Sequence, residues 1–105
     1  MLIGRVIGSV VSTQKDDKMR DLKLLIVQRH DAQNCPLEDA IVCVDAVGAG
    51  LQEMVLFCTG SSARQTKLTD GKPCDAVIMA IVDSWDVEGK PVFEKERDAG
   101  WTSPA

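Results

Sequence analysis

Apolar residues along this chain come in short runs broken by polar, Gly- and Pro-containing stretches, and no amphipathic helical spacing is sustained over several turns. The first run, Leu2 to Thr13, is rich in Ile and Val and carries Gly4 and Gly8, which let a strand bend or another backbone come close. A solvated loop of mixed charge, Gln14 to Asp21, is expected next. Leu22 to Arg29 reads as a second strand and Ala40 to Val47 as a third, with the polar loop His30 to Asp39 between them, so the two are expected to pair as a hairpin. Within the third run Ile41, Cys43 and Asp45 share one face and Val42, Val44 and Ala46 the other. That alternation predicts Val42 and Val44 in the core, with Asp45 near solvent or an interface.

Gly48-Ala49-Gly50 interrupts the apolar pattern as a turn, and Met54 to Cys58 resumes as a fourth strand that Gly60 closes. Ser61-Ser62-Ala63-Arg64-Gln65 looks like the start of a short helix, with Ser62 and Gln65 at capping-box spacing. Thr69-Asp70-Gly71-Lys72-Pro73 reads as a turn. The fifth strand, Ala76 to Asp83, is apolar almost throughout, which implies burial on both faces and a central place. A hairpin is expected around Glu88-Gly89-Lys90-Pro91 with Trp85 at its start, and the chain ends in a charged, then loose stretch. Several short strands around one brief helix, without internal repeats, predict an all-β (mainly β) fold: a small closed five-stranded OB-like β-barrel with one short helix and a C-terminal extension. The expected division is a barrel domain over residues 1–93 and a tail over 94–105.

Composition narrows the function classes. The chain has 105 residues, 45% hydrophobic and 27% charged, the balance of one globular domain. A domain this small leaves much of its surface uncovered, which makes contacts between copies a natural way to bury the rest. The net charge of −4 disfavours a phosphate backbone, and only 4% of residues are aromatic, with no tyrosine to stack on bases. No nucleic-acid partner is therefore expected. Arg5 breaks the apolar opening segment, which reads as a strand instead of a signal peptide, and the longest apolar run, Ala76 to Val82, is far short of the ~20 residues of a membrane-spanning helix. The expectation is a soluble, cytoplasmic protein with no membrane contact.

Of four cysteines, Cys43 and Cys58 lie in strand-like runs and are expected in the core, whereas Cys35 and Cys74 lie in loops beside Pro36 and Pro73 and are the better candidates for reactive thiols. No pair has C-x-x-C spacing. Gly60-Ser61-Ser62-Ala63-Arg64 is not the G-x-S-x-G elbow of a nucleophilic serine, and the sole histidine, His30, beside Asp31, reads as an ordinary surface residue. The Gly48-Ala49-Gly50 turn lacks the further glycines of a phosphate-binding loop, and Glu38-Asp39 and Asp16-Asp17 lack the spaced oxygens of a calcium loop. No catalytic residue, metal site or cofactor is predicted. An OB-like nucleic-acid-binding module and a small thiol- or serine-dependent enzyme are the alternatives to a structural role.

Taken in order, Val44-Asp45-Ala46-Val47-Gly48-Ala49-Gly50, Glu53 and Gly60-Ser61-Ser62-Ala63-Arg64 closely resemble the EutN/CcmL family of bacterial microcompartment vertex proteins. Gly8 with Val10, Lys23-Leu24-Leu25, Asp75-Ala76 and Ile81-Val82-Asp83 extend the match. The resemblance implies an OB-like barrel that forms a pentamer at the vertices of a polyhedral shell, alongside hexagon-forming shell proteins of the same microcompartment. It also suggests an oligomer interface built from Gly48, Gly50, Glu53, Ser61, Ser62 and Arg64: the glycines admit a neighbouring backbone, the serines satisfy helix-start amides, and Arg64 reaches a carboxylate or carbonyl, with Glu53 a possible partner. Departures are Ala80, where the family often has glycine, Cys43, where it usually has a small aliphatic, and residues 94–105, which have no counterpart. Trp101 in that tail is a candidate docking residue.

Overall fold

The structure, a computed structural model, describes residues 1–72 and 74–98. Trp101 and Pro73 lie outside the described residues. Five strands, β1 (Leu2–Val10), β2 (Leu24–His30), β3 (Pro36–Asp45), β4 (Met54–Thr59) and β5 (Ala76–Ile81), close into a barrel in the order β1-β2-β3-β5-β4. All neighbours run antiparallel except β3 and β5, which are parallel through Val44–Val77 and Asp45–Ile78. The expected closed five-stranded barrel is thus the fold. Two further strands, β6 (Ser84–Val87) and β7 (Lys90–Glu94), make the predicted hairpin as a separate sheet. Its two-residue turn places Glu88 and Gly89 at φ 53° and 79°, the paired left-handed conformation that matches strand twist.

Closure of the barrel depends on Gly4. This residue pairs with Arg29 on β2 and Val55 on β4, and a Cβ there would lie 2.5 Å from Val27 Cγ1, 2.7 Å from Gln28 O and 3.0 Å from Phe57 Cε1. Only hydrogen fits between the flanking strands and the Phe57 ring. The interior is filled by Val6, Leu25, Val27, Cys43, Val55, Phe57 and Ile78, the alternating inward positions of the strands. A second cluster, Leu22, Val44, Cys58, Ala63 and Val77, lies on the outer face beneath a 3-10 helix, Gly60–Arg64. β5 accordingly buries Val77 outward and Ile78 inward, as its continuous apolarity predicts.

Several expectations need correction. The expected short helix is the 3-10 element Gly60–Arg64, and the loop Gln14 to Asp21, largely exposed as read, carries a second short one, Asp17–Met19. β3 starts at Pro36, four residues early, because the connection contracts to a turn over residues 31–35 closed by Asp31 N donating to Cys35 O at 3.0 Å. The parity of β3 is as read, but its direction is reversed: Cys43 points into the barrel and Val42 is 48% exposed. Val44 is buried only because the 3-10 helix covers the outer face there. Asp45 is buried as well. His30, read as a surface residue, is 3% exposed, with Nδ1 2.7 Å from Asn34 Oδ1.

Candidate functional site

The turn that joins β3 to β4 is organised by carboxylates. Asp45, at the end of β3, uses Oδ1 to accept the amides of Val47, Gly48 and Ala49 at 3.1, 3.0 and 3.2 Å. Convergent amides of this kind make a cradle that suits a buried carboxylate. Lys23 Nζ stands 3.7 Å from Asp45 Oδ2 and donates to Ala49 O at 3.4 Å. The chain can curl around Asp45 because Gly48 adopts φ +79°. Ala49 is then pinned in the barrel core.

Glu53 organises the second half of the turn. Its Oε1 accepts the Gly50 amide at 2.6 Å, and its Oε2 lies 2.7 Å from Lys95 Nζ, beyond the end of β7. A Cβ on Gly50 would come 3.2 Å from Oε1, so the tight return favours glycine there. The Lys95 hydrogen bond, aided by the Gly50 amide and opposed by burial, holds the Glu53 carboxyl below the usual carboxylate range. Backbone bonds seat the turn against β1, with Gln52 N donating to Val6 O at 2.7 Å and Val6 N to Glu53 O at 3.0 Å. Beneath it lies Arg5, 2% exposed, whose Nη1 donates to Gln52 O at 2.9 Å and whose guanidinium faces the Phe93 ring at 6.0 Å. Burial lowers the Arg5 pKa and Asp98 opposes that shift. Two apolar side chains of the turn face solvent beside the exposed Gln52: Leu51 is 66% exposed and Val47 39%.

The other candidate segment lies at the far end of β4, which at about 3.4 Å per residue separates the two by roughly 20 Å. Gly60, at φ +69°, starts the 3-10 helix and donates its amide to Asp75 O at 2.7 Å, while Ala63 is fully buried. Ser61 and Ser62 are exposed. The cap position is Thr59, which makes no side-chain capping bond, and Ser62 meets Gln65 through backbone, Gln65 N donating to Ser62 O at 3.2 Å, so the capping box does not form. Arg64 is exposed and its Nη1 donates to Cys74 O at 3.1 Å. Gly48, Gly50 and Glu53 therefore share one patch, Ser61, Ser62 and Arg64 another. Within one chain Glu53 pairs with Lys95, not Arg64.

Neither patch assembles a nucleophile with a base. Burial lowers the His30 pKa, against the Asn34 hydrogen bond, and pushes the Cys43 thiol up to about 12 and the Cys74 thiol upward. Among the described residues no group of three or more His, Cys, Asp or Glu side chains is placed to hold a metal ion. No described helix is long and apolar enough to cross a membrane. Sequence reasoning missed two contributors, Arg5 and Lys95. A lone charge in an apolar strand was the available signal for Arg5; Lys95 carried none.

Comparison with known proteins gives a consistent answer. Residues 1–83 match the family model EutN_CcmL, described as ethanolamine utilisation protein EutN/carboxysome. The carboxysome shell vertex protein CcmL of Gloeobacter violaceus is 45% identical over 96 residues, covering 91% of this chain and 96% of that protein. Its solved structure superposes with a TM-score of 0.88 over 91% of this chain and 99% of that one. The GrpN pentameric microcompartment shell protein from Rhodospirillum rubrum is 41% identical, with a TM-score of 0.77 over 83% of this chain and 99% of its own.

Proposed function

The chain belongs to the EutN/CcmL family, and on that footing we propose that it is a structural shell protein of a bacterial microcompartment, one that forms a pentamer capping the vertices of the polyhedral shell. The observation that carries this reading is the fit, over nearly the whole described chain, to a relative named as a shell vertex protein and to another named as pentameric. Geometry explains why such a subunit is needed. A closed shell cannot be made of hexagons alone, and a five-fold ring supplies curvature. In such a ring each subunit offers one patch to one neighbour and a different patch to the other, until the rotation closes. Two separated patches at opposite ends of β4 suit that heterologous contact.

The function is mechanical and involves no catalysis or cofactor. Gly48, Gly50 and Glu53 belong to one contact patch, and Ser61, Ser62 and Arg64 to the other. Hexagon-forming shell proteins of the same microcompartment are the outer partners, met at the rim of the ring. Residues 1–93 make the shell domain and residues 94–105 a tail, which starts at the last residue of β7, Glu94, and meets Glu53 through Lys95. Native mass spectrometry of the purified chain, with light scattering for mass in solution, tests the reading. A pentamer supports it. A stable monomer at micromolar concentration overturns the shell assignment, and a ring of another size overturns the vertex assignment.

A further inference from the structure

Two apolar features of the surface differ in shape and in the charge around them. The first protrudes. Leu51 stands 66% exposed on the turn before β4, beside the seam where β1 meets β4. Through the Glu53–Lys95 contact this turn adjoins a shallow depression lined by Asp83, Glu94, Lys95 and Glu96. Three exposed carboxylates surround one lysine whose charge Glu53 already meets. An apolar knob is thus set beside an acidic surface.

The second feature is a groove of about 190 Å³ lined by Met19, Leu24, Val42, Val44, Cys74, Asp75 and Ala76. It lies along β3, the strand farthest round the barrel from the β1–β4 seam. That volume is below the ~300–1,000 Å³ of small-molecule sites. It is of the order of the ~150 Å³ apolar cavity that deleting one core leucine side chain opens. Val42 is 48% exposed at its wall and extends the apolar lining to the surface. Asp75 is the acidic member, and Arg64 is held at the preceding residue by its bond to Cys74 O. Lys67, exposed beside Arg64, adds a second cation, and the exposed Asp70 stands with them.

We propose that Leu51 of one copy seats in the Val42–Cys74 groove of the next, with the neighbour's Arg64 and Lys67 facing the carboxylates of Asp83, Glu94 and Glu96. The occupant is a second copy of this chain because knob and groove match in size, the carboxylates beside the knob can meet the two cations, Arg64 and Lys67, beside the groove, and both lie on one subunit at separate positions round the barrel. A head-to-tail ring requires that arrangement. The inference rests on the ring reading above and gives it a contact: Leu51 is the buried anchor and the charges are its rim, which set orientation and rate of encounter.

The test is a thiol-to-thiol crosslink. In a Cys35→Ser background, Leu51→Cys treated with a short bis-maleimide is expected to give a covalent ladder reaching five chains, lost when Cys74→Ser is added. In parallel, Leu51→Asp and Val42→Asp, both at exposed positions, are each expected to abolish the pentamer at micromolar concentration while leaving the subunit's circular dichroism unchanged. A ladder that persists without Cys74, a pentamer without any ladder, or a pentamer retained by either aspartate variant overturns the contact and leaves the ring intact. A monomeric parent chain overturns the ring reading itself, and this contact with it.

Discussion

Lys95 Nζ lies 2.7 Å from Glu53 Oε2, which fastens the segment after β7 to the turn before β4. Lys95 N also donates to Asp83 O at 2.8 Å, so both its backbone and its side chain are engaged. Glu53 in turn receives the Gly50 amide. One carboxylate therefore couples the hairpin to the barrel and shapes the turn. Because the pair is still partly open to solvent, its effect on stability is expected to be modest and sensitive to salt.

The pair has a defined pH signature. The folded-state pKa of Glu53 is lowered, chiefly by the Lys95 hydrogen bond, so its contribution is present above the ordinary glutamate value near ~4.3 and is lost as pH falls through the lowered one. The pKa of Lys95 is raised, chiefly by the same bond, so its contribution is lost only at strongly alkaline pH. Thermal midpoints measured from about pH 7 downward should show Glu53→Gln less stable than the parent chain at neutral pH, with the difference shrinking in acid. A difference that does not depend on pH would contradict the assigned partner.

Asp45 offers a sharper case, because its side chain is 1% exposed and one oxygen serves three amides. Asp45→Ala orphans those donors, and at ~1.5–3 kcal/mol for a hydrogen bond to a charged group the loss should reach about 2–4 kcal/mol. Asp45→Asn keeps one acceptor oxygen and should cost clearly less. Urea denaturation of both variants checks the ranking, and equal losses would mean that the amide cradle contributes little.

The sequence made the strands and the hairpin legible because short apolar runs and the Glu88-Gly89 turn are local signals. Orientation was less legible. Alternation says that Val42 and Val44 share a face but not which face is inward, and a 3-10 helix over the outside of the barrel buries Val44 without burying Val42. Asp45 was misread because charge argues for exposure, although Asp-x-x-Gly from Asp45 to Gly48 is itself the pattern of a carboxylate collecting the next amides. The Glu53–Lys95 contact spans 42 positions, and no local pattern carries such a pair. The six candidate interface residues could be named from the ordered motifs, whereas their division into two patches at opposite ends of β4 follows only from the fold.

Two glycines should respond differently to alanine. At Gly48 the added Cβ meets nothing within 4 Å, so the cost is that of a left-handed φ, about 1–2 kcal/mol. At Gly4 the new atom would meet Gln28 backbone oxygen at 2.7 Å and Val27 at 2.5 Å, and β1 must shift away from its neighbours. Overpacking of that kind typically costs about 1–3 kcal/mol and here also strains barrel closure, so Gly4→Ala should be the worse of the two. Chemical denaturation would reverse this reading if Gly48→Ala proved the more damaging.

Arg64→Ala separates assembly from folding. Its bond to Cys74 O is exposed, so the subunit should melt within about 0.5 kcal/mol of the parent chain, as surface substitutions usually do. The ring, in which Arg64 is proposed to face carboxylates, should dissociate at higher subunit concentration and more readily in salt. Sedimentation at two ionic strengths reads both effects. Assembly equal to that of the parent chain would remove Arg64 from the interface.

The thiols provide a last check on the core. Cys43 is fully buried, and its thiol is pushed up to about 12, so at pH ~8 almost none is the thiolate that reacts. Cys58 is 9% exposed and Cys35 lies open in the 31–35 turn. Alkylation of the native chain should therefore modify Cys35 first and Cys74 more slowly, the latter because its thiol is also raised by burial. Cys43 and Cys58 should react only after denaturant is added. Because Cys74 lines the proposed groove, its modification should slow further in the pentamer than in the monomeric Val42→Asp variant, whereas that of Cys35 should not change. Mass spectrometry of timed samples follows all four sites. Early labelling of Cys43 would contradict the inward direction of β3, and equal rates at Cys74 in ring and monomer would contradict a covered groove.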